Sequence, residues 1–392
     1  MDCAAIAGHV VHSVRKSMKD RGNITDLEAE VVYNGLCCYC GTCGAFCKEY
    51  ITFEHELPIT KKKCYEICGA CYDFCPRTSF APYAVERAVF GDIRADNLLG
   101  YYRGAIYTAR AKEGDIRDKA QDGGFVSTLL AYLLAKGDID AAVVTKATGE
   151  WEPEPFIATK REDVIAAAGS KYTQCPAVLG VGDAIEAGYK NIAFVGLPCH
   201  IQGMRKAQLS KLFDVHADRV KLLIGLFCTE TFDTTKLRKK LTELGVNDIR
   251  DVEKFNIKKG SFIIQKRSGE VLKTPIKKMR DCVREACNYC YDFAAEFADI
   301  SVGSIGSEPG WSTVIPRSES GLELVNRTEA EGLIDLKELS ESKIEEIRNL
   351  ALYKKRENLR NILARLEPIR VLNMELEPEM LKNFLLLERS SP

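Results

Sequence analysis

Long apolar runs are missing from this 392-residue sequence. The richest, Val126–Leu134 and Lys221–Cys228, fall well short of the ~20 residues that a membrane-spanning helix needs. A soluble, cytoplasmic chain is therefore expected, one that could still dock on a membrane complex. Excess charge of either sign is missing too, since 55 Lys and Arg face 56 Asp and Glu. No global field is left to draw nucleic acid or an anionic lipid surface. Met1–His12 carries no secretory n-region or cleavage site, so nothing suggests export. A complete dinucleotide-binding fingerprint is missing as well: Gly180-Val181-Gly182-Asp183-Ala184-Ile185 lacks the third glycine and a convincing strand ahead of it. A Rossmann nicotinamide site is thus poorly supported.

Cysteine, by contrast, is plentiful, with 16 residues. In a chain of this length, without export signals, that points to metal clusters in a reducing, anaerobic cytoplasm. Cys37, Cys40, Cys43 and Cys47 stand as C-x2-C-x2-C-x3-C, and Cys64, Cys68, Cys71 and Cys75 as C-x3-C-x2-C-x3-C followed by Pro76. Two such runs are the ligand pattern of a ferredoxin module with two [4Fe–4S] clusters, in which the fourth cysteine of each run reaches across to the other cluster. Cys37, Cys40, Cys43 and Cys75 would then hold one cluster, and Cys47, Cys64, Cys68 and Cys71 the second. Zinc also uses C-x2-C pairs, but rarely two consecutive four-cysteine runs with this offset. A disulfide scaffold suits short secreted chains. Two departures from the usual pattern are Lys48 in place of a proline and the extra residue between Cys64 and Cys68. Cys38 is surplus and reads as a packed thiol beside the ligands.

At this length two or more domains with full cores are expected. Residues 1–35 read as amphipathic helix, with Val10, Val11 and Val14 on one face and a break at Arg21-Gly22-Asn23. The cluster module occupies 36–82. Residues 83–115 read as a linker with a pairing strand near Gly104–Ala109. From Gln121 helices and strands alternate: Asp122-Gly123-Gly124-Phe125-Val126-Ser127 is a glycine turn feeding a helix that Lys136-Gly137 ends, and Ala141–Val144 is a buried strand. Such a turn can offer backbone N–H groups to a phosphate, or it can simply start a helix. Asn191–Val195 and Lys221–Leu226 are strands that open on Cys199 and Cys228, at the carboxyl ends where α/β sheets place their sites. With Cys287 and Cys290 these make a candidate third cluster. The alternatives are buried apolar thiols, a zinc or redox C-x2-C pair, and Cys282 as a competing ligand. Residues 341–392 read as a helical extension with an apolar stripe at Ile344, Ile347, Leu359, Ile362, Leu363 and Leu366, suited to packing or to docking a partner.

Several ordered blocks carry a resemblance that spacing alone does not supply. They are Ala120–Gly124, Ala167–Thr173, Pro198–Gly203, Cys287–Phe293, Ala298–Ser307 and Gly310–Thr313. Over roughly residues 100–340 the sequence resembles the beta subunit of coenzyme F420-reducing hydrogenase. With the ferredoxin module ahead of it, the whole is similar to the input subunit of F420H2 dehydrogenases of methanogenic and related archaea. The resemblance implies an α/β (α+β) flavoprotein domain over 116–340, binding FAD and coenzyme F420, with a [4Fe–4S] cluster on Cys199, Cys228, Cys287 and Cys290. It gives Cys282 no counterpart. Asp122, Gly123, Gly124, Ser127, Ser170, Lys171 and Tyr172 would line the flavin. Lys171, Arg205 and Lys206 are candidates to neutralise the phosphate and carboxylate tail of F420, although each could equally be a solvated surface cation.

The implied function is hydride exchange between F420 and FAD, with no catalytic acid or base, because a flavin must stand between a two-electron carrier and one-electron clusters. The partner would be a membrane dehydrogenase, a heterodisulfide reductase, a hydrogenase or a ferredoxin. Two rivals keep parts of this picture: a ferredoxin-dependent flavoprotein reductase of another acceptor, and a non-catalytic iron–sulfur relay subunit.

Overall fold

A computed structural model describes residues 22–62, 64 and 68–366; the helix face expected at Val10, Val11 and Val14 lies outside them. The strands, in chain order, are β1 (Ile51–Glu54), β2 (Leu57–Thr60), β3 (Tyr107–Ala111), β4 (Ala141–Ala147), β5 (Pro153–Ala158), β6 (Ile192–Gly196), β7 (Val220–Leu226), β8 (Val252–Lys258), β9 (Ser261–Lys266), β10 (Val271–Pro275), β11 (Ile300–Gly303), β12 (Ser312–Pro316) and β13 (Ile334–Glu338). Eight of them form the main sheet in the order β13-β3-β12-β11-β7-β6-β4-β5. Strands β4, β6, β7 and β11 run parallel, while β12 enters antiparallel between β11 and β3. Strand β3 is therefore interior to the sheet, so the region read as a linker supplies part of the domain's framework. The antiparallel sheet β10-β9-β8 stands apart from the main one.

Every residue of β6 is buried, as expected of a strand covered on both faces. Its side chains alternate between two cores. Phe194, with Val143 and Leu223, faces Ile201 and Met204 of the helix Pro198–Leu209 and Val181 of the helix Leu179–Glu186. Ala193 and Val195 face the helix Phe125–Lys136 through Leu129, Leu130 and Leu133. Each such side chain contributes about 1.5–3 kcal/mol when fully buried.

The first of these cores also takes in Ala45, Ala70 and Phe74 from between the cysteines of the two N-terminal runs. The cysteine-rich N-terminal module is thus packed into the same core as the α/β domain. Close backbone approach helps to seat it. A Cβ on Gly182 would collide with the Ala45 carbonyl, and one on Gly203 with Thr42 Oγ1. The glycines of the incomplete fingerprint therefore serve packing within a helix.

The long helix Glu341–Leu366 returns across the molecule, burying Ile347, Leu359 and Ile362 of the expected stripe. Leu359 and Ile362 pack with the N-terminal thiol module. Lys355 on this helix pairs with buried Glu296, which also pairs with Arg94; Arg94 in turn meets Glu86 at 2.5 Å. This network ties three separate chain segments together, and removing one member of such a buried set costs about 3–5 kcal/mol.

Candidate metal centres and active site

Cys37, Cys40, Cys43 and Cys75 line a small cavity, whose wall Cys38, Leu27, Val31 and Phe53 complete. Three come from the first run and one from the end of the second. The Cys43 thiol is pushed well above its usual range by burial and then by the neighbouring Cys37, Cys75 and Cys71. Cys71 is pushed up to about 12 by burial, with Cys47, Cys68 and Cys64 adding to it. Cys47 rises to about 11 by burial and then through Cys68 and Cys64. The fourth cysteine of each run therefore sits with the first three of the other. None of these thiols is joined in a disulfide. Crowded buried thiols resist ionisation unless a cation joins them, and an all-sulfur donor set of four suits iron–sulfur or zinc rather than a hard cation. The local fold is simple: Gly41 and Gly69, both with left-handed backbone, start the short helices Thr42–Ala45 and Ala70–Asp73 that carry the middle cysteines. Cys68 is the one exposed thiol among the described residues.

The third set gathers at the carboxyl edge of the main sheet. Cys199 lies in the first turn of the helix after β6, and Cys228 follows β7, its N–H donating to the Phe293 carbonyl at 2.9 Å. Cys287 lies in the turn Glu285–Tyr289, and Cys290 directly follows it. Burial pushes Cys228 up to about 12 against the opposing charge of Lys354, with Cys287 and Cys290 adding to the rise. Cys199 is likewise raised, first by its hydrogen bond with Cys38, then by burial, with Cys290 contributing. Cys282 is not part of this group; its thiol donates to the Lys236 carbonyl at 3.6 Å and packs with Phe232 and Met279.

Cys38 was expected as a packed thiol beside the ligands, whereas Arg77, Gln174 and His200 escaped the sequence reading. Cys38, the surplus thiol, is buried between Cys40 and Cys199 and hydrogen-bonded to both. Arg77 extends from the end of the second run to the carbonyls of Tyr289 (3.0 Å) and Ala286 (3.4 Å). Burial opposes its charge, but Cys290, Cys38 and Cys199 hold it protonated. Gln174 donates to the Cys38 carbonyl at 2.7 Å. His200 accepts from the Leu197 N–H at Nδ1, leaving Nε2–H to donate to the Cys175 carbonyl at 3.0 Å. Burial lowers its pKa to about 4, so it is a neutral structural histidine. A charge placed two residues after the last cysteine was the one available signal, for Arg77.

The blocks expected to line a flavin also meet at this edge. Ser170 N–H donates to Gln121 Oε1 at 3.2 Å, joining the two stretches. Gly123 N–H donates to Ser312 Oγ at 3.0 Å, and a Cβ there would strike the Ala109 carbonyl. Gly124, at φ 79°, starts the helix whose first turn holds Ser127. Asp122 faces Lys258 at 3.7 Å, and burial raises its pKa despite Lys258 and Lys254. Tyr172 packs edge-on against Phe262.

The proposed tail cations need correction. Lys171 is turned inward onto the carbonyls of Ala167, Ala168 and Gly169, and burial lowers its pKa to about 8. Arg205 is buried against the Phe297 carbonyl and Asp299, both at 2.8 Å, just ahead of β11 and so at the opposite end of the sheet. Lys206 grips the carbonyls of Cys75 and Ser79, each at 2.7 Å, and fastens the cysteine-rich N-terminal module. Each could have been a solvated surface cation, but contacts within the protein take up these charges. Lys254 and Lys258, on β8, are the cations that the structure sets beside Asp122.

Comparison with known proteins gives a consistent picture. Residues 106–180 match the family model for the coenzyme F420 hydrogenase/dehydrogenase beta subunit N-terminal part, and residues 189–342 match that for its C terminus. The chain is 39% identical over 277 residues to coenzyme F420 hydrogenase subunit beta of Methanothermobacter thermautotrophicus, covering 69% of this chain and 97% of that one. It is 36% identical over 341 residues to the coenzyme F420-dependent sulfite reductase of Methanocaldococcus jannaschii, covering 82% of this chain but half of that protein's length. Among solved structures, a chain of the F420-reducing [NiFe] hydrogenase complex from Methanosarcina barkeri superposes with a TM-score of 0.67 at 31% identity, covering 72% of this chain and 98% of that one. Among the described residues no helix is long and apolar enough to cross a membrane.

Proposed function

Because the chain belongs to the coenzyme F420 hydrogenase/dehydrogenase beta-subunit family, we propose that it exchanges a hydride between reduced F420 and bound FAD and hands single electrons through three [4Fe–4S] centres to a redox partner. FAD supplies the conversion between paired and single electrons. Cys199, Cys228, Cys287 and Cys290 would hold the flavin-side centre, and the two exchanged sets from Cys37–Cys75 the others. The observation that carries this reading is continuity: the third set adjoins the first through Cys199, Cys38 and Cys40, and the remaining set ends at exposed Cys68.

The residues divide the work. Gly123 and Gly124 keep the turn close to the sheet edge, and Asp122 and Tyr172 wall the site beside it. Lys254 and Lys258 are better suited than Arg205 or Lys206 to meet an anionic tail. Cys68 marks the side from which a partner subunit or ferredoxin would take electrons.

Anaerobically purified protein should contain about twelve irons and one FAD per chain. Iron near eight with FAD present would remove the third centre, and iron without flavin would favour a relay subunit.

A further inference from the structure

The helix Glu341–Leu366 begins as the family match ends, at residue 342. Its buried stripe contains Ile347, Ala351, Leu359 and Ile362, as an amphipathic helix should. On the same face stand Lys354 and Asn358, only 4% and 8% exposed. Placing an ammonium and an amide in an apolar stripe is costly unless each finds partners. Both do, and the partners are the backbone of the third thiol set. Lys354 Nζ donates to the carbonyls of Cys228 at 2.7 Å and Asp292 at 2.8 Å. Asn358 Nδ2 donates to the carbonyls of Cys287 at 2.8 Å and Cys290 at 2.6 Å. Two side chains one helical turn apart thus hold three of the four cysteines, although Cys228 comes from a different strand end than the Cys287–Cys290 turn.

We propose that Lys354 and Asn358 are positioning residues for the flavin-side [4Fe–4S] centre. Asn358 sets the spacing of Cys287 and Cys290. Lys354 ties Cys228 to that turn and places a positive charge beside the thiolates, which favours the more negative, reduced state of the centre. This inference rests on the reading of Cys199, Cys228, Cys287 and Cys290 as an iron–sulfur site.

The test is a redox titration followed by EPR on the full chain, purified anaerobically. Lys354→Met is expected to move one of three cluster midpoints to a more negative potential and to leave the other two in place, with Lys354→Arg restoring most of the shift. Asn358→Ala is expected to alter the line shape of that same signal. Should Lys354→Met fail to fold, Asn358→Asp, which keeps the shape but loses both N–H donors, carries the test on the same signal. If wild-type protein shows three signals and neither Lys354→Met nor Asn358→Ala moves any of them, the positioning role is overturned and the centre stands. Two signals and about eight irons in the wild type would overturn the centre, and the positioning role with it.

Discussion

The buried thiol of Cys38 is hydrogen-bonded to that of Cys199, which joins the first cysteine run to the carboxyl end of β6. On the proposed assignment Cys38 belongs to neither ligand set; it fills the contact between them. Cys38→Ala should therefore keep about twelve irons while lowering stability by about 1–2 kcal/mol through lost hydrogen bonds and packing. Cys199→Ala should fall to about eight irons. Iron analysis and denaturant melts on both variants check this, and loss of iron in Cys38→Ala would make it a ligand.

The seating of the module is equally testable. Gly182 and Gly203, from two helices of the α/β domain, leave room for the Ala45 carbonyl and Thr42 Oγ1. Gly203→Val should cost about 1–3 kcal/mol by overpacking. It should also slow reduction of the N-terminal centres while leaving flavin reduction at the wild-type rate, as read by stopped-flow absorbance. Equal slowing of both would place the lesion elsewhere.

Asp122 gives a pH-dependent prediction. Burial raises its folded pKa above the ordinary carboxylate value, with Lys258 and Lys254 opposing. The protonated form is favoured in the fold, so its contribution to stability is full below the unfolded pKa and is lost as pH rises through the folded one. Asp122→Asn removes that loss. The variant should gain stability relative to wild type as pH rises from the ordinary carboxylate range toward neutrality, and show no gain in stronger acid. Thermal melts across pH 3–7 check the sign, and weaker FAD retention in the same variant would indicate that the buried charge is kept for the cofactor.

Much of this architecture was legible because the informative spacings are local. The two cysteine runs lie within a few dozen residues of each other and announce a shared thiol module, and β4, β6 and β7 appear as apolar runs because both their faces are covered. The strand ends at Cys199 and Cys228 followed from the same runs. What escaped depends on contacts distant in sequence. Arg205 and Lys206 could each have been solvated surface cations, yet Asp299 and the Cys75 carbonyl take up their charges. Lys354 and Asn358 interrupt an apolar stripe, and only the fold reveals that the carbonyls of Cys228, Cys287 and Cys290 meet them. Strand β3 was expected as a pairing strand near Gly104–Ala109, but its partners β12 and β13 come some two hundred residues later, so its place inside the main sheet could not be read locally.

The most direct test is anaerobic stopped-flow mixing of the purified protein with F420H2, NADH and NADPH in parallel, following flavin and cluster absorbance. The account predicts rapid flavin bleaching by F420H2, followed by cluster bleaching, and no comparable reaction with either nicotinamide. Rapid reduction by NADH or NADPH with none by F420H2 would contradict it.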